Sequence, residues 1–319
     1  MEFNVKNFKY LDELVHGGSE EISLEYDIIL DDNEQSDYIK GIEIDEDLII
    51  DGKGHFIDAK NKSRIFEIFA DDVVLKNINF KNSFADNGSA LLNNSGDVEV
   101  VKCQFNGNNA RFQGGAIACL SGLIKIDSCR FAQNNAQTGG GAIINGDELE
   151  IRDTYFEDNT SQLGGTIFNI GKITVSNSKF VNNRAIDGGA IDNFENSSLK
   201  ISSSEFEKNI AKNGGAIFNF SNLEIENSLY LHNESSDIGG AVVNLKTTRI
   251  TDSKFDSNIS RGIAGAIAHD GSSTIISNTE FIHNQAANMG GAIFCKNFDA
   301  RNLNHANCKF VGNSPDDIR

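Results

Sequence analysis

The sequence predicts an all-β chain wound as a right-handed parallel β-helix, with three short strands per coil of about 25 residues and a helical cap at its N-terminus. Two repeating anchors carry that prediction. The first is a Phe followed three residues later by Asn: Phe105/Asn108, Phe131/Asn134, Phe156/Asn159, Phe180/Asn183, Phe206/Asn209, Phe255/Asn258, Phe281/Asn284 and Phe310/Asn313, with Tyr230/Asn233 as a variant and Phe80/Ser83 as a degraded first copy. The second is a Gly-Gly-Ala that follows it, as in Gly114-Gly115-Ala116, Gly140-Gly141-Ala142, Gly188-Gly189-Ala190 and Gly214-Gly215-Ala216, with Gly164-Gly165-Thr166 and Ala264-Gly265-Ala266 as variants. Both recur every 24 to 26 residues until the final step, from Phe281 to Phe310.

Each period divides into three strands. Seven and five residues before the Phe the chain is apolar (Val98 and Val100, Leu149 and Ile151, Ile173 and Val175, Leu199 and Ile201), with polar residues between and after. That alternation is a short, half-buried strand. Three before the Phe stands a turn former such as Asp153, Asn177, Ser203 or Asn227, a corner tolerant of the left-handed conformation. A second strand then points a small residue (Cys103, Cys129, Thr154, Ser178) and the Phe inward. The Asn three after the Phe reads as the next corner, a variable loop follows, and Gly-Gly opens a third strand bearing Ile117, Ile143, Ile167, Ile191, Ile217, Val242, Ile267 and Ile293. Stacking such triangular coils in register puts equivalent residues about 4.8 Å apart, so the Phe rings stack and the Asn side chains bond to one another. Right-handedness follows from the rule for parallel crossovers.

At the ends, Phe8, Leu11, Leu14 and Val15 fall at helical spacing and predict a short amphipathic cap over the first coil. Residues 1–70 read as this cap plus irregular early coils, and 71–319 as regular repeats, all in one continuous domain. Arg319 follows Asn313 by six residues, too few for a second cap. Self-association, a partner or a missing C-terminal segment is therefore expected to cover that end.

The net charge of −18 is concentrated early. Between Asp12 and Asp47 acidic side chains crowd a stretch in which Lys40 is the only cation. This excludes a nucleic-acid partner or an anionic lipid surface, each of which needs a positive footprint. Met1 to Lys9 holds no apolar signal core and no window offers 18 consecutive apolar residues, so no membrane insertion is expected, and the chain as it stands reads as cytoplasmic.

The motif Phe-x-x-Asn-x-Ala followed by Gly-Gly-Ala-Ile resembles the repeat of chlamydial polymorphic outer-membrane proteins, and is similar to the β-helix region of adhesin-like surface proteins of methanogenic archaea. The likeness spans roughly Asp71 to Asn313, and Leu48-Ile-Ile-Asp-Gly-Lys-Gly-His55 is similar to the entry segment of such helices. The resemblance implies a surface-displayed, adhesive protein that binds a protein or glycan partner.

The same architecture, a pectate-lyase-like solenoid, also carries polysaccharide lyases and hydrolases, which need a carboxylate cluster or pair with a basic residue on outward strand positions. Here the outward positions of the first strand read Glu99, Lys125, Glu150, Thr174, Lys200, Glu224 and Arg249, a self-neutralising alternation. Asp153/Asp158 and Asp187/Asp192 are the best acidic pairs and read as corner or loop residues, and Asp51-Gly52-Lys53-Gly54-His55 reads as a turn. No catalytic residue, metal site or cofactor is expected. His269 and Cys295 replace the Asn found at Asn145, Asn169, Asn193, Asn219 and Asn244 and read as packing variants, and Cys103 and Cys129 as buried free thiols. The binding surface expected instead is the outward row of the third strand, Ile144, Phe168, Phe218, Val243 and Phe294, with Asp192 between the two Phe. A lateral face that binds is thus the first reading, an enzyme the second, and a structural spacer or assembly module the third.

Overall fold

The computed structural model describes residues 5–271, 273–296 and 303–319. It is a parallel β-solenoid of about 12 turns with about 25 residues in each. One turn shows the plan. Lys172–Ser176, Lys179–Val181 and Ile191–Asn193 are its three strands, and each pairs in parallel with the equivalent strand one coil before and one coil after. Repeated along the axis, these make sheets of 12, 13 and 11 strands respectively. The helix Phe8–Val15, capped by Asn7, buries Phe8 and Leu11 against the first coils.

Corners fall where backbone requirements put them. Three residues before each Phe, Asp153, Asn177, Ser203, Asn227 and Asp252 take φ of 46–50°. The second corner is not the Asn of the repeat, as its sequence position suggested, but the residue before it: Gln133, Asp158, Asn182, Lys208, His232 and Ser257 have positive φ. The Asn itself turns inward and is fully buried. A polar amide can live there because every coil supplies its partners. Asn134 Nδ2 donates to Asn159 Oδ1 at 3.0 Å and to Phe105 O at 3.1 Å, while its Oδ1 accepts from Asn108 N at 3.0 Å and Asn108 Nδ2 at 3.0 Å. The pattern continues unbroken to Asn313. Beside it the aromatic rings from Phe80 to Phe310 stack with centroids 4.4–5.2 Å apart, Phe156 on Phe180 at 4.6 Å. Burial of so many rings in a single file is the largest favourable contribution the repeat offers.

The coil is less triangular than expected. The segment between the Asn and Gly-Gly forms its own parallel ladder, as short strands at Asn109–Gln113, Ile210–Asn213 and Glu234–Ile238 and as bridges from Asn135 to Thr160, Arg184 and Ile210. Its composition is too varied for periodicity to reveal, because beyond the small buried residue two after the Asn (Ala110, Ala136, Ala211) only its backbone repeats. The paired glycines then bring the chain close to its neighbours. The first takes positive φ, 62° at Gly188. The second lies against the coil above, where a Cβ on Gly189 would sit 2.0 Å from the carbonyl oxygen of Gly215.

A second amide ladder runs along the end of the third strand, with Asn145, Asn169, Asn193, Asn219 and Asn244 joined by bonds of 2.7–2.9 Å and closed by His269. His269 is a packing variant that accepts Asn244. Cys119 instead interrupts the file between Asn93 and Asn145, and Asn93 Oδ1 and Asn145 Oδ1 are both buried without a donor. Burial pushes the Cys119 thiol pKa up to about 11, so the neutral, weakly bonding form stays. Cys119→Asn is expected to supply a donor to Asn145 and raise stability by about 1 kcal/mol, read from denaturant midpoints. An unchanged or lower midpoint would mean the cavity does not admit the amide.

Candidate functional site

The third-strand row predicted as a contact surface is contiguous in the structure. Cα register runs Ala118, Ile144, Phe168, Asp192, Phe218, Val243, Ala268, Phe294, one residue per coil. These side chains point away from the main core, as the alternation required. They are not open, however: Ile144 and Val243 are 3% exposed, Phe168 6% and Phe218 8%, while Phe294 is half-buried. The cover is the chain's own fourth ladder. A Cβ on Gly139 would lie 2.9 Å from the Phe168 ring, and one on Gly239 2.8 Å from Val243 Cγ2, so the glycine backbone roofs the row. Leu163 and Ile238 complete the roof from the same ladder. The result is two small apolar clusters outside the main core, one around Ile144 and Phe168, the other around Phe218 and Val243.

Asp192 separates them. It is a strand residue in the place the outer row gave it, not the loop or corner residue its pairing with Asp187 suggested, and is 1% exposed, with Phe168 and Phe218 on either side in register. Burial, reinforced by the charge of Asp187, raises its carboxyl pKa well above the usual carboxylate range. Its Oδ1 has no hydrogen-bond partner.

The apolar side chains that do reach solvent lie one step further along, at the residue following the third strand. Leu120 is 54% exposed, Ile170 46% and Phe194 39%, with Phe220 and Leu245 half-buried on the next two coils. Phe194 touches Phe168 and Phe220 edge-on, each at 5.7 Å between centroids, and Phe220 meets Phe218 at 4.8 Å. The exposed ridge and the roofed row therefore form one connected apolar strip. Sequence reasoning missed the ridge because each of its residues stands alone in a turn; only the column, taken across coils, shows it.

The other sites weighed in the sequence resolve into structure. Along the first sheet Lys172 pairs with Glu148 at 2.6 Å and Lys200 with Glu224 at 3.7 Å, the neutralising pattern expected. Asp153 and Asp158 both hold positive-φ corners. Asp51 accepts from Lys53 N at 2.9 Å, and Lys53 and Gly54 have positive φ, so that motif is a turn. Cys103, Cys119, Cys129 and Cys295 are buried free thiols, and Cys308 is a partly exposed one. No helix among the described residues is long and apolar enough to cross a membrane.

The family model of the Chlamydia polymorphic membrane protein repeat matches residues 203–219 and 278–296. Each match covers one copy of the unit described above, from the first corner through the Phe, the Asn and Gly-Gly-Ala-Ile to the end of the third strand: Phe206 to Asn219 in one, Phe281 to Cys295 in the other. No curated protein matches the chain. With its stacked Phe and Asn files continuous across the coils, the chain is a parallel β-solenoid built from repeats similar to that of the Chlamydia polymorphic membrane protein.

Proposed function

We propose that the chain is an adhesin-like, non-catalytic binding module that engages a protein or glycan through the lateral strip beside its third sheet. The observation that supports this is the connected apolar strip itself. Ile170, Phe194, Phe220 and Leu245 stand on four successive coils, partly open to solvent and backed by the roofed row of Ile144, Phe168, Phe218, Val243 and Phe294. Contiguous exposed apolar surface of this kind marks contact sites. The likeness to a surface-protein repeat fits adhesion on a cell surface. The crest residues make the contact; the row beneath fixes their positions.

A polysaccharide lyase or hydrolase on the same fold is the second reading, favoured only by the proximity of Asp187 and Asp192. Near-complete burial of Asp192 withholds it from a polymeric substrate.

The test is a protein and glycan binding screen with the purified chain beside the double variant Phe194→Ser/Phe220→Ser. Binding that falls at least about tenfold in the variant, with the melting temperature kept, is expected for partly exposed aromatic anchors. Binding unaffected by both substitutions, or turnover of polygalacturonate or another uronic-acid polymer abolished by Asp187→Asn, would replace this reading.

A further inference from the structure

The apolar strip is interrupted at one place, and what interrupts it is a set of oxygen acceptors. Along the fourth ladder the backbone register runs Leu163, Asp187, Asn213, with Ile238 one coil further on. Leu163 packs beside Phe168, and Ile238 beside Phe218 and Val243. By the same geometry Asp187 stands over Asp192, close enough that its charge is felt there. Asn213 donates from Nδ2 to Asp187 Oδ1 at 2.7 Å, which leaves its own Oδ1 buried and without a donor. Asp192 Oδ1 is the second buried acceptor without a donor. Neither carboxylate forms an ion pair with any described Lys, Arg or His.

Two carboxyl groups and an amide oxygen therefore lie together under the roof, with two acceptor oxygens unused and no described Lys, Arg or His paired with them. A leucine, a phenylalanine and an isoleucine occupy the corresponding places one coil away, so packing alone does not call for acids here. Buried acceptors without donors are uncommon in folded proteins and cost free energy. A lysine or arginine side chain from outside is too bulky to reach Asp192, which is 1% exposed. A bare ion is not.

We propose that Asp187, Asp192 and the side-chain oxygen of Asn213 form a binding site for a hard divalent cation of the Ca²⁺ type. All three are oxygen ligands, as such an ion prefers, and Ca²⁺ tolerates the irregular geometry of a site completed by backbone carbonyls and water. Half-buried Asp187 and Asn213 give it the entry path. Among the described residues no three Asp, Glu, His or Cys side chains come together as a metal cluster; here the third ligand is an amide. Bound there, the ion would join the two apolar clusters into one rigid stretch beneath the crest.

The test is a CaCl₂ titration of the full chain, followed by calorimetry and by melting temperature against a chelator-treated control. Wild type is expected to take up one Ca²⁺ per chain and to melt higher with it. Asp192→Asn and Asp187→Asn are expected to bind about tenfold or more weakly. Asp192→Asn keeps the size and shape of the buried side chain and so should melt no lower than wild type in chelator, which separates a lost ligand from a lost fold. Asp153→Asn, at a distant corner, should bind as wild type does. Absence of saturable uptake at millimolar CaCl₂, or equal uptake by Asp192→Asn, would overturn the site.

Discussion

Asn183→Ala is expected to destabilise the solenoid by about 3–6 kcal/mol, the largest effect of any polar substitution in the repeat. Asn183 is fully buried and its side chain makes four bonds. Oδ1 accepts from Asn159 N and Asn159 Nδ2 at 3.0 Å each, and Nδ2 donates to Phe156 O at 3.2 Å and Asn209 Oδ1 at 3.0 Å. Truncation strands donors on Asn159 and the acceptor at Phe156 O, and leaves Asn209 Oδ1 with only the bond from Asn183 N, in an interior that water does not reach. Asn183→Asp should do no better, because a carboxylate keeps the two accepted bonds but faces Phe156 O and Asn209 Oδ1 with nothing to donate. Chemical denaturation followed by far-ultraviolet circular dichroism measures both. A loss below about 1 kcal/mol would mean that the buried amides are worth no more than ordinary exposed hydrogen bonds.

Phe168→Ser and Phe218→Ser should each cost about 2–4 kcal/mol, slightly below the range for a fully enclosed aromatic. The two rings are 6% and 8% exposed and lie in different apolar clusters, so the double variant should lose close to the sum. Phe194→Ser, at 39% exposed, should cost about 1 kcal/mol or less. Melts of the four proteins decide whether the roofed row acts mainly as structure beneath the crest. If Phe168→Ser leaves the melting temperature unchanged, the glycine roof lifts readily in solution and the row itself is available to a partner.

These two predictions fall on opposite sides of what the sequence reveals. The bonding of Asn183 to its equivalents was legible because identical side chains recur at one spacing, although the spacing suggested a corner and the structure turns the Asn inward one residue past it. The Phe stack, the corner at Asp153 and the cap at Phe8 were legible for the same kind of reason: each follows from one residue type under a strong local constraint. The roof over Phe168 was not. It depends on how near the backbone at Gly139 comes to the next coil, which the sequence records only as a glycine. The fourth ladder was hidden because its backbone repeats while most of its side chains do not. Asp187 and Asp192 looked like loop acids because nothing in their spacing shows that Asn213, 26 residues beyond Asp187, completes their surroundings.

The buried amide file has one further consequence. Each Asn side chain bonds to its equivalents one coil away and to the Phe carbonyl of the preceding coil, and every coil presents the same donor and the same acceptors. Insertion or deletion of one whole period therefore rejoins the file, the aromatic stack and the glycine column together, whereas a shift of a few residues breaks all three at once. The fold is in this sense quantised: lengthening is tolerated in steps of one coil, and each step extends the lateral crest by about 4.8 Å. A lineage could change the reach of the binding strip by copying coils, without redesigning the core.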